Sequence, residues 1–284
     1  MSKPQVSELG QALAVLAEWQ DDEASFQLHP GDLGWFWRFG AEATAAAVRC
    51  WSRAGKILAL GLLDGPQLLR LTIAPQAQQD EELAERLVRD LVQPEHGVLP
   101  AGKAHLETPS GVLLRELLTA VGWQPDELWT PLRRELDESV PDPVMRIEVI
   151  GAEKAQRYAT VVRAAFDGSS FTPQRWRAMA SGSPYAEARS LIGYDDRENA
   201  VAVATVWSAG QGRPGLLEPM GVHHDHRGHG YGKAISLAAA AALLELGSSS
   251  ALVCTPSSNT GGIATYRSAG FRPLPERLDL RREA

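Results

Sequence analysis

The chain has 284 residues, 44% hydrophobic and 22% charged with a net charge of −7, an ordinary soluble composition long enough for two cores. The acidic balance argues against nucleic acid or an anionic membrane as the main partner, and no apolar run reaches the roughly 18 residues of a membrane span. The N-terminus lacks a signal-type apolar core, and Cys50 and Cys254 lie in apolar, strand-like contexts without disulfide or metal spacing, so a cytoplasmic protein with buried free thiols is expected.

In chain order, Trp35-Phe-Trp37 is expected to pack in a core or between domains. Runs Ile57 to Leu63 and Leu68 to Ala74 are strands, with Asp64-Gly-Pro as the hairpin turn between them. Glu81 to Val92 is helical, the segments Lys103 to Thr108 and Gly111 to Gly122-Trp123 follow, and Pro131 to Leu136 is a closing strand. Asp137 to Pro143, acidic and with two prolines, suits a linker. Strand Met145 to Ile150, helices Glu153 to Phe166 and Thr172 to Ala180, and strands Arg189 to Tyr194, Ala200 to Trp207 and Leu216 to Val222 follow. Helix Tyr231 to Leu246, strand Ala251 to Thr255, a short helix to Tyr266 and strand Leu278 to Arg282 complete the series.

The two halves repeat one order. Thr108-Pro-Ser110 and Thr255-Pro-Ser257 open matching segments that end in Gly122-Trp123 and Gly270-Phe271. Each half closes on an arginine-rich strand. Two tandem domains follow, residues 1–140 and 144–284.

Between strand and helix lies Val222-His-His-Asp-His-Arg227-Gly228-His229-Gly230-Tyr231-Gly232-Lys233. Glycines bring bare backbone N–H groups close to a ligand, and a helix N-terminus favours a phosphate. A dinucleotide G-x-G-x-x-G fails, because Ile235 or Lys233 stands where the third glycine belongs. A Walker loop fails at Arg227 and Ala234. What remains is Arg227-x-x-Gly230-x-Gly232, read as a pyrophosphate cradle.

This loop resembles the acyl-CoA-binding loop of the GNAT N-acetyltransferase family. The downstream run with Asn259, Tyr266, Gly270 and Phe271 resembles the family's next segment; Gly262 and Thr265 replace the usual Ala and Leu. The resemblance covers about residues 145 to 284. It implies an α+β fold, a mixed, largely antiparallel twisted sheet flanked by helices, here in two tandem copies similar to mycothiol synthase and related small-molecule acetyltransferases.

It also implies acetyl-CoA as co-substrate and a small-molecule amine as acceptor. The fourth and fifth strands of such a domain splay, and the pantetheine arm lies between them. Backbone groups of Met220, Gly221 and Val222 would pair with that arm and polarise the thioester carbonyl. Arg227, Gly228, His229, Gly230, Tyr231, Gly232 and Lys233 would hold the pyrophosphate, Asn259 the pantetheine. Tyr266 would be the general acid for the thiolate.

Glu218, flanked by Leu216, Leu217 and Met220, is the general-base candidate, with a structural partner for an arginine or a backbone N–H as the alternative role. Its even spacing from Val222 puts both on one face unless a bulge intervenes. His223, His224, His226 and His229 are expected to be solvated loop histidines without metal. Phe171, Trp176, Tyr185 and Trp207 belong to segments that line acceptor clefts in the family, with packing as the expected role of each.

The first half has Gln78, Glu81 and Leu83 where the cradle would be, and Gly111 and Leu118 opposite Asn259 and Tyr266. It is expected to bind no CoA and to form a scaffold or one wall of the cleft. The tandem arrangement favours a monomer. A non-catalytic acyl-CoA-binding or regulatory protein is the alternative reading.

Overall fold

A computed structural model describes residues 1–137 and 139–283. Glu138, inside the expected linker, and Ala284 lie outside the described residues. The first half contains α1 (Leu9–Glu18), α2 (Pro30–Phe36), α3 (Ala41–Ala47), β1 (Val48–Arg53), β2 (Lys56–Leu63), β3 (Leu68–Ile73), α4 (Glu81–Val92), β4 (Ala104–Glu107), α5 (Leu113–Ala120) and β5 (Gln124–Glu135). The second contains β6 (Arg146–Val149), α6 (Ala155–Ala165), α7 (Pro173–Ala180), β7 (Ala188–Tyr194), β8 (Ala200–Trp207) and β9 (Gly215–Val222). It continues through α8 (Tyr231–Glu245), β10 (Ser250–Pro256), α9 (Thr260–Ser268), β11 (Arg272–Pro273) and β12 (Arg277–Arg282). From β2 onward the elements match the sequence reading to within a few residues, except that β5 starts well before Pro131.

All the strands join one sheet in the order β1-β2-β3-β4-β12-β5-β10-β9-β8-β7-β6, with β11 paired to β5 off this path. The β3–β4 and β9–β10 pairs are parallel and the rest antiparallel. The mixed, helix-flanked sheet expected from the sequence is therefore present. The halves exchange their closing strands: β5 pairs with β10 from Ser250↔Glu135 to Pro256↔Trp129, while β12 pairs with β4 at Leu280↔Leu106. The side chains follow the backbones. Leu280 is buried in the first-half core with Leu106 and Trp123, and Leu132 and Leu136 in the second-half core with Val253 and Leu243.

A second seam joins the halves at α2. His29, buried, caps this helix by accepting from Gly31 N at 2.9 Å, and its Nε2 lies 3.0 Å from the Pro214 carbonyl. Burial lowers its pKa to about 4, so the neutral ring donates from Nε2 and accepts at Nδ1. A Cβ on Gly31 or Gly34 would come within 2.5 or 2.3 Å of Trp207, so only glycine lets α2 lie on that indole. Asp32 on α2 accepts from His29 N at 2.6 Å and reaches Arg70 on β3.

Candidate active site

β9 and β10 pair at Ala251↔Gly215 and Leu252↔Leu216 and then separate. The gap is the splayed cleft that the sequence implied. On its other edge β9 pairs with β8, but the register shifts: Ala204 faces Met220 while Val206 faces Leu217. Glu218 and Pro219 thus bulge against the single residue Thr205. The bulge does intervene, and it turns the strand so that Glu218, Met220 and Val222 are half-buried in alternation with buried Pro219 and Gly221. Proline has no N–H to contribute to the ladder, which suits it to this position. Trp207 Nε1 donates to the Glu218 carbonyl at 2.7 Å and satisfies the acceptor that the bulge frees.

Two cavities open from this gap. One, of about 620 Å³, is lined by Met220, Gly221, Val222, Arg227, Gly228 and Gly230 to Lys233, together with residues of α9. Gly230, at φ 83°, caps α8 without any side-chain hydrogen bond. The first N–H groups of this 15-residue helix therefore face the cavity with their partial positive charge, beside Lys233. A Cβ on Gly232 would lie 2.7 Å from Thr265 Cγ2, so that glycine permits the close approach of α8 and α9. These features fit a pyrophosphate.

Three expected contacts differ in detail. Arg227 lines the cavity, but its Nη2 donates to the Ala165 carbonyl at 2.8 Å and its Nε to Val222 at 3.4 Å, so it ties the loop to the end of α6. His229, expected in the cradle, is not among the lining residues. Its ring stacks on Tyr231, with Nδ1 2.9 Å from the Arg227 carbonyl. Asn259 lines the cavity as the N-cap of α9, accepting from Gly262 N at 3.0 Å and donating to Thr255 Oγ1 at 2.9 Å. A Cβ on Gly262 would meet Asn259 Nδ2 at 2.4 Å, which explains glycine in place of the family's alanine.

Ligand atoms of His223, His224 and Asp225 lie within 4.8 Å of one another. However, His223 Nδ1 accepts from Asp225 N at 3.2 Å, and His224 Nδ1 lies 2.7 Å from the Ala164 carbonyl.

The other cavity, of about 560 Å³, lies between the halves. Phe26, Trp35, Asp64, Arg70, Glu107 and Trp129 come from the first half, and Glu218, Cys254, Tyr266, Arg277 and Asp279 from the second. The two cavities share Phe166, Met220, Asn259 and Tyr266, and there they meet. Of the four expected aromatics none lines this cavity. Phe171 stacks on Trp35 at 5.2 Å between centroids, and Trp176, Tyr185 and Trp207 pack edge to face.

A first-half wall was expected, but its residues and those of β12 were not singled out from the sequence, although one signal was present. Arg70 interrupts the apolar run Leu68 to Ile73, and a charge in a buried strand requires partners. It finds Asp32 at 2.8 Å and Glu107 at 3.0 Å, with Asp64 at 3.8 Å and Glu218 at 4.0 Å. Burial opposes its charge, but these carboxylates outweigh burial and hold its pKa well above the ordinary value. Glu107 is shared with Arg277 at 2.6 Å, and Arg277 reaches Asp279 at 3.3 Å.

Glu218 is pushed the other way. Enclosure in the protein and then the charge of Asp32 raise its pKa well above the carboxylate range, against the pull of Arg70. Tyr266, buried beside Phe271 in the core, has its phenol raised above the ordinary value by burial and by the nearby Glu218 and Cys254. A neutral phenol therefore stands at the junction of the cavities across a wide pH range. Burial lifts the Cys254 thiol to about 12, so it remains a thiol.

A strand pair splayed beside an open helix N-terminus, with a second cavity meeting it end to end, is the arrangement that the resemblance to an acyl-CoA-dependent transferase implied. Residues 159–271 match the model of the Acetyltransferase (GNAT) family, so this part of the second half is similar to a domain of that family, which supports an acyltransferase. Acetyl-CoA is the family's usual co-substrate and amines its general acceptors.

The whole chain is similar in fold to a GCN5-related N-acetyltransferase from Sphaerobacter thermophilus, at 18% identity, TM-score 0.61, and 99% and 94% coverage of this and that chain. It is also similar to a GNAT-family acetyltransferase from Colwellia psychrerythraea, at 14% identity, TM-score 0.63, and 99% and 98% coverage. A third similar structure is a tandem GNAT protein from the clavulanic acid biosynthesis pathway, at 16% identity, TM-score 0.62, and 100% and 97% coverage. No curated protein matches the chain in sequence. Among the described residues no helix is long and apolar enough to cross a membrane.

Proposed function

We propose that the protein is an acetyl-CoA-dependent N-acetyltransferase that moves an acetyl group to a primary amine of a small molecule by direct transfer in a ternary complex. The observation that carries this reading is the meeting of the two cavities at Phe166, Met220, Asn259 and Tyr266, with the phosphate cradle on one side and Glu218 on the other.

The co-substrate supplies the thioester. The α8 N-terminus and Lys233 hold the pyrophosphate, and backbone groups of Met220, Gly221 and Val222 that β10 leaves unpaired hold the arm and polarise the carbonyl. Asn259 retains hydrogen-bonding capacity for the pantetheine beyond its two internal bonds. Glu218 takes the proton of the attacking amine, directly or through water, and its raised pKa brings it closer to that of an ammonium. Tyr266 gives a proton to the departing thiolate.

The first half contributes a wall and no second CoA site. Asp80 caps α4 by accepting from Leu83 N at 2.9 Å and pairs with Arg53, so a side chain already occupies the helix end that would receive phosphate. Initial rates with a panel of amines test the proposal. Intersecting double-reciprocal patterns support direct transfer. Tight CoA binding with no turnover on any amine supports a non-catalytic acyl-CoA-binding protein instead.

A further inference from the structure

The carboxyls around the acceptor cavity are not held equally. Asp32, Asp64, Glu107, Glu218 and Asp279 surround the guanidiniums of Arg70 and Arg277. A third guanidinium, Arg38, lies 4.4 Å from the ring centres of both Trp35 and Phe39 and donates to the Trp35 carbonyl at 2.8 Å. It senses Asp64 and Glu218 from a distance but pairs with neither.

The close pairs take up the arginines. Arg70 serves Asp32 and Glu107 at 2.8 and 3.0 Å, and Arg277 serves Glu107 and Asp279 at 2.6 and 3.3 Å. Asp64 and Glu218 reach a guanidinium only at one shared atom, Arg70 Nη1, at 3.8 and 4.0 Å, the outer limit of an ion pair, and Glu218 also lies against the Asp32 carboxyl. Their side chains are 31% and 30% exposed, whereas those of Arg70 and Arg277 are 10% and 4% exposed. A ligand entering the cavity meets the loosely held carboxyls, not the guanidiniums. Because Asp64 and Glu218 flank a single nitrogen, both fall within the span of one small molecule. Asp64 belongs to the β2–β3 turn of the first half and Glu218 to the β9 bulge of the second.

We infer that the acceptor carries two basic nitrogens a short spacer apart, with Glu218 facing the one that is acetylated and Asp64 holding the other as an ammonium. This rests on the transferase reading above and names its substrate class. The half without a phosphate cradle then selects the acceptor. The second ammonium gains a charge-assisted hydrogen bond in a partly desolvated site, a preference of about ten- to a hundredfold over a monoamine of the same length. Arg70 keeps the two carboxyls apart and in place.

The test compares short α,ω-diaminoalkanes with the matching monoamines. Calorimetry gives their binding to the CoA complex, and initial rates give kcat/KM, for wild type, Asp64→Asn and Asp64→Glu. The wild type should prefer a diamine by about ten- to a hundredfold, Asp64→Asn should bring the ratio close to one, and Asp64→Glu should restore part of it. Equal binding of diamine and monoamine, no diamine binding, or a preference that survives Asp64→Asn overturns the inference. A preference that Asp64→Asn removes, without acetyl transfer to either amine, upholds the inference and overturns the transferase reading.

Discussion

Trp207 donates its indole N–H to the Glu218 carbonyl at 2.7 Å while its ring lies against Gly31 and Gly34 of the other half. The first half thereby braces the bulge that presents the proposed base. Gly34→Ala would put a methyl 2.3 Å from Cζ3 of this buried ring. We predict a stability loss of about 1–3 kcal/mol, measured by denaturant unfolding, and a fall in kcat, because the indole cannot yield without releasing the Glu218 carbonyl.

Tyr266→Phe keeps the ring in the core with Phe271 and removes only the hydroxyl. Turnover should fall by about ten- to a hundredfold at neutral pH, the modest end of general-acid effects, because a thiolate leaves readily. The deficit should narrow above pH ~8.5, where the free thiol ionises unaided. Unchanged turnover would remove Tyr266 from the mechanism.

Asp279 titrates far from the carboxylate range. Burial, reinforced by Glu107 and Asp126, lifts it from 3.8 to about 7 despite Arg277. Because the folded value is the higher one, protonation favours folding. That contribution is complete below about 3.8 and is lost as pH rises through about 7. Asp279→Asn mimics the protonated form, so its Tm advantage over wild type should be absent near pH 4 and grow toward pH 8. An advantage independent of pH would contradict this.

Calorimetric titration should give one CoA per chain, since Asp80 caps α4 while α8 is uncapped. Two sites would refute a cradle-free first half. The intact chain is the proper sample. A fragment ending at residue 140 would lose β12 from between β4 and β5 and strip β10 from β5.

Local signals carried the sequence reading furthest. Helix Glu81–Val92 and strand Ala200–Trp207 match their expected bounds, and the Gly230 to Lys233 spacing located the helix end that opens into the cavity proposed for the cofactor. The strand exchange was not legible, because Pro131 to Leu136 and Leu278 to Arg282 are both short, apolar and arginine-rich, and no local pattern says which half each one serves. Asp64 read only as a hairpin turn and Arg70 only as part of a strand. Their meeting with Glu218 arises from packing between halves, which periodicity does not encode.

The most direct test of the proposed chemistry is the pH dependence of kcat/KM for an accepted amine in wild type and Glu218→Gln. Removing a general base should cost about 10²–10⁴-fold while CoA affinity is kept. The wild type should gain activity as pH rises through a pKa well above the ordinary carboxylate range, and the variant should lack that limb. Equal activity with the same acid limb in both proteins would show that Glu218 is not the base.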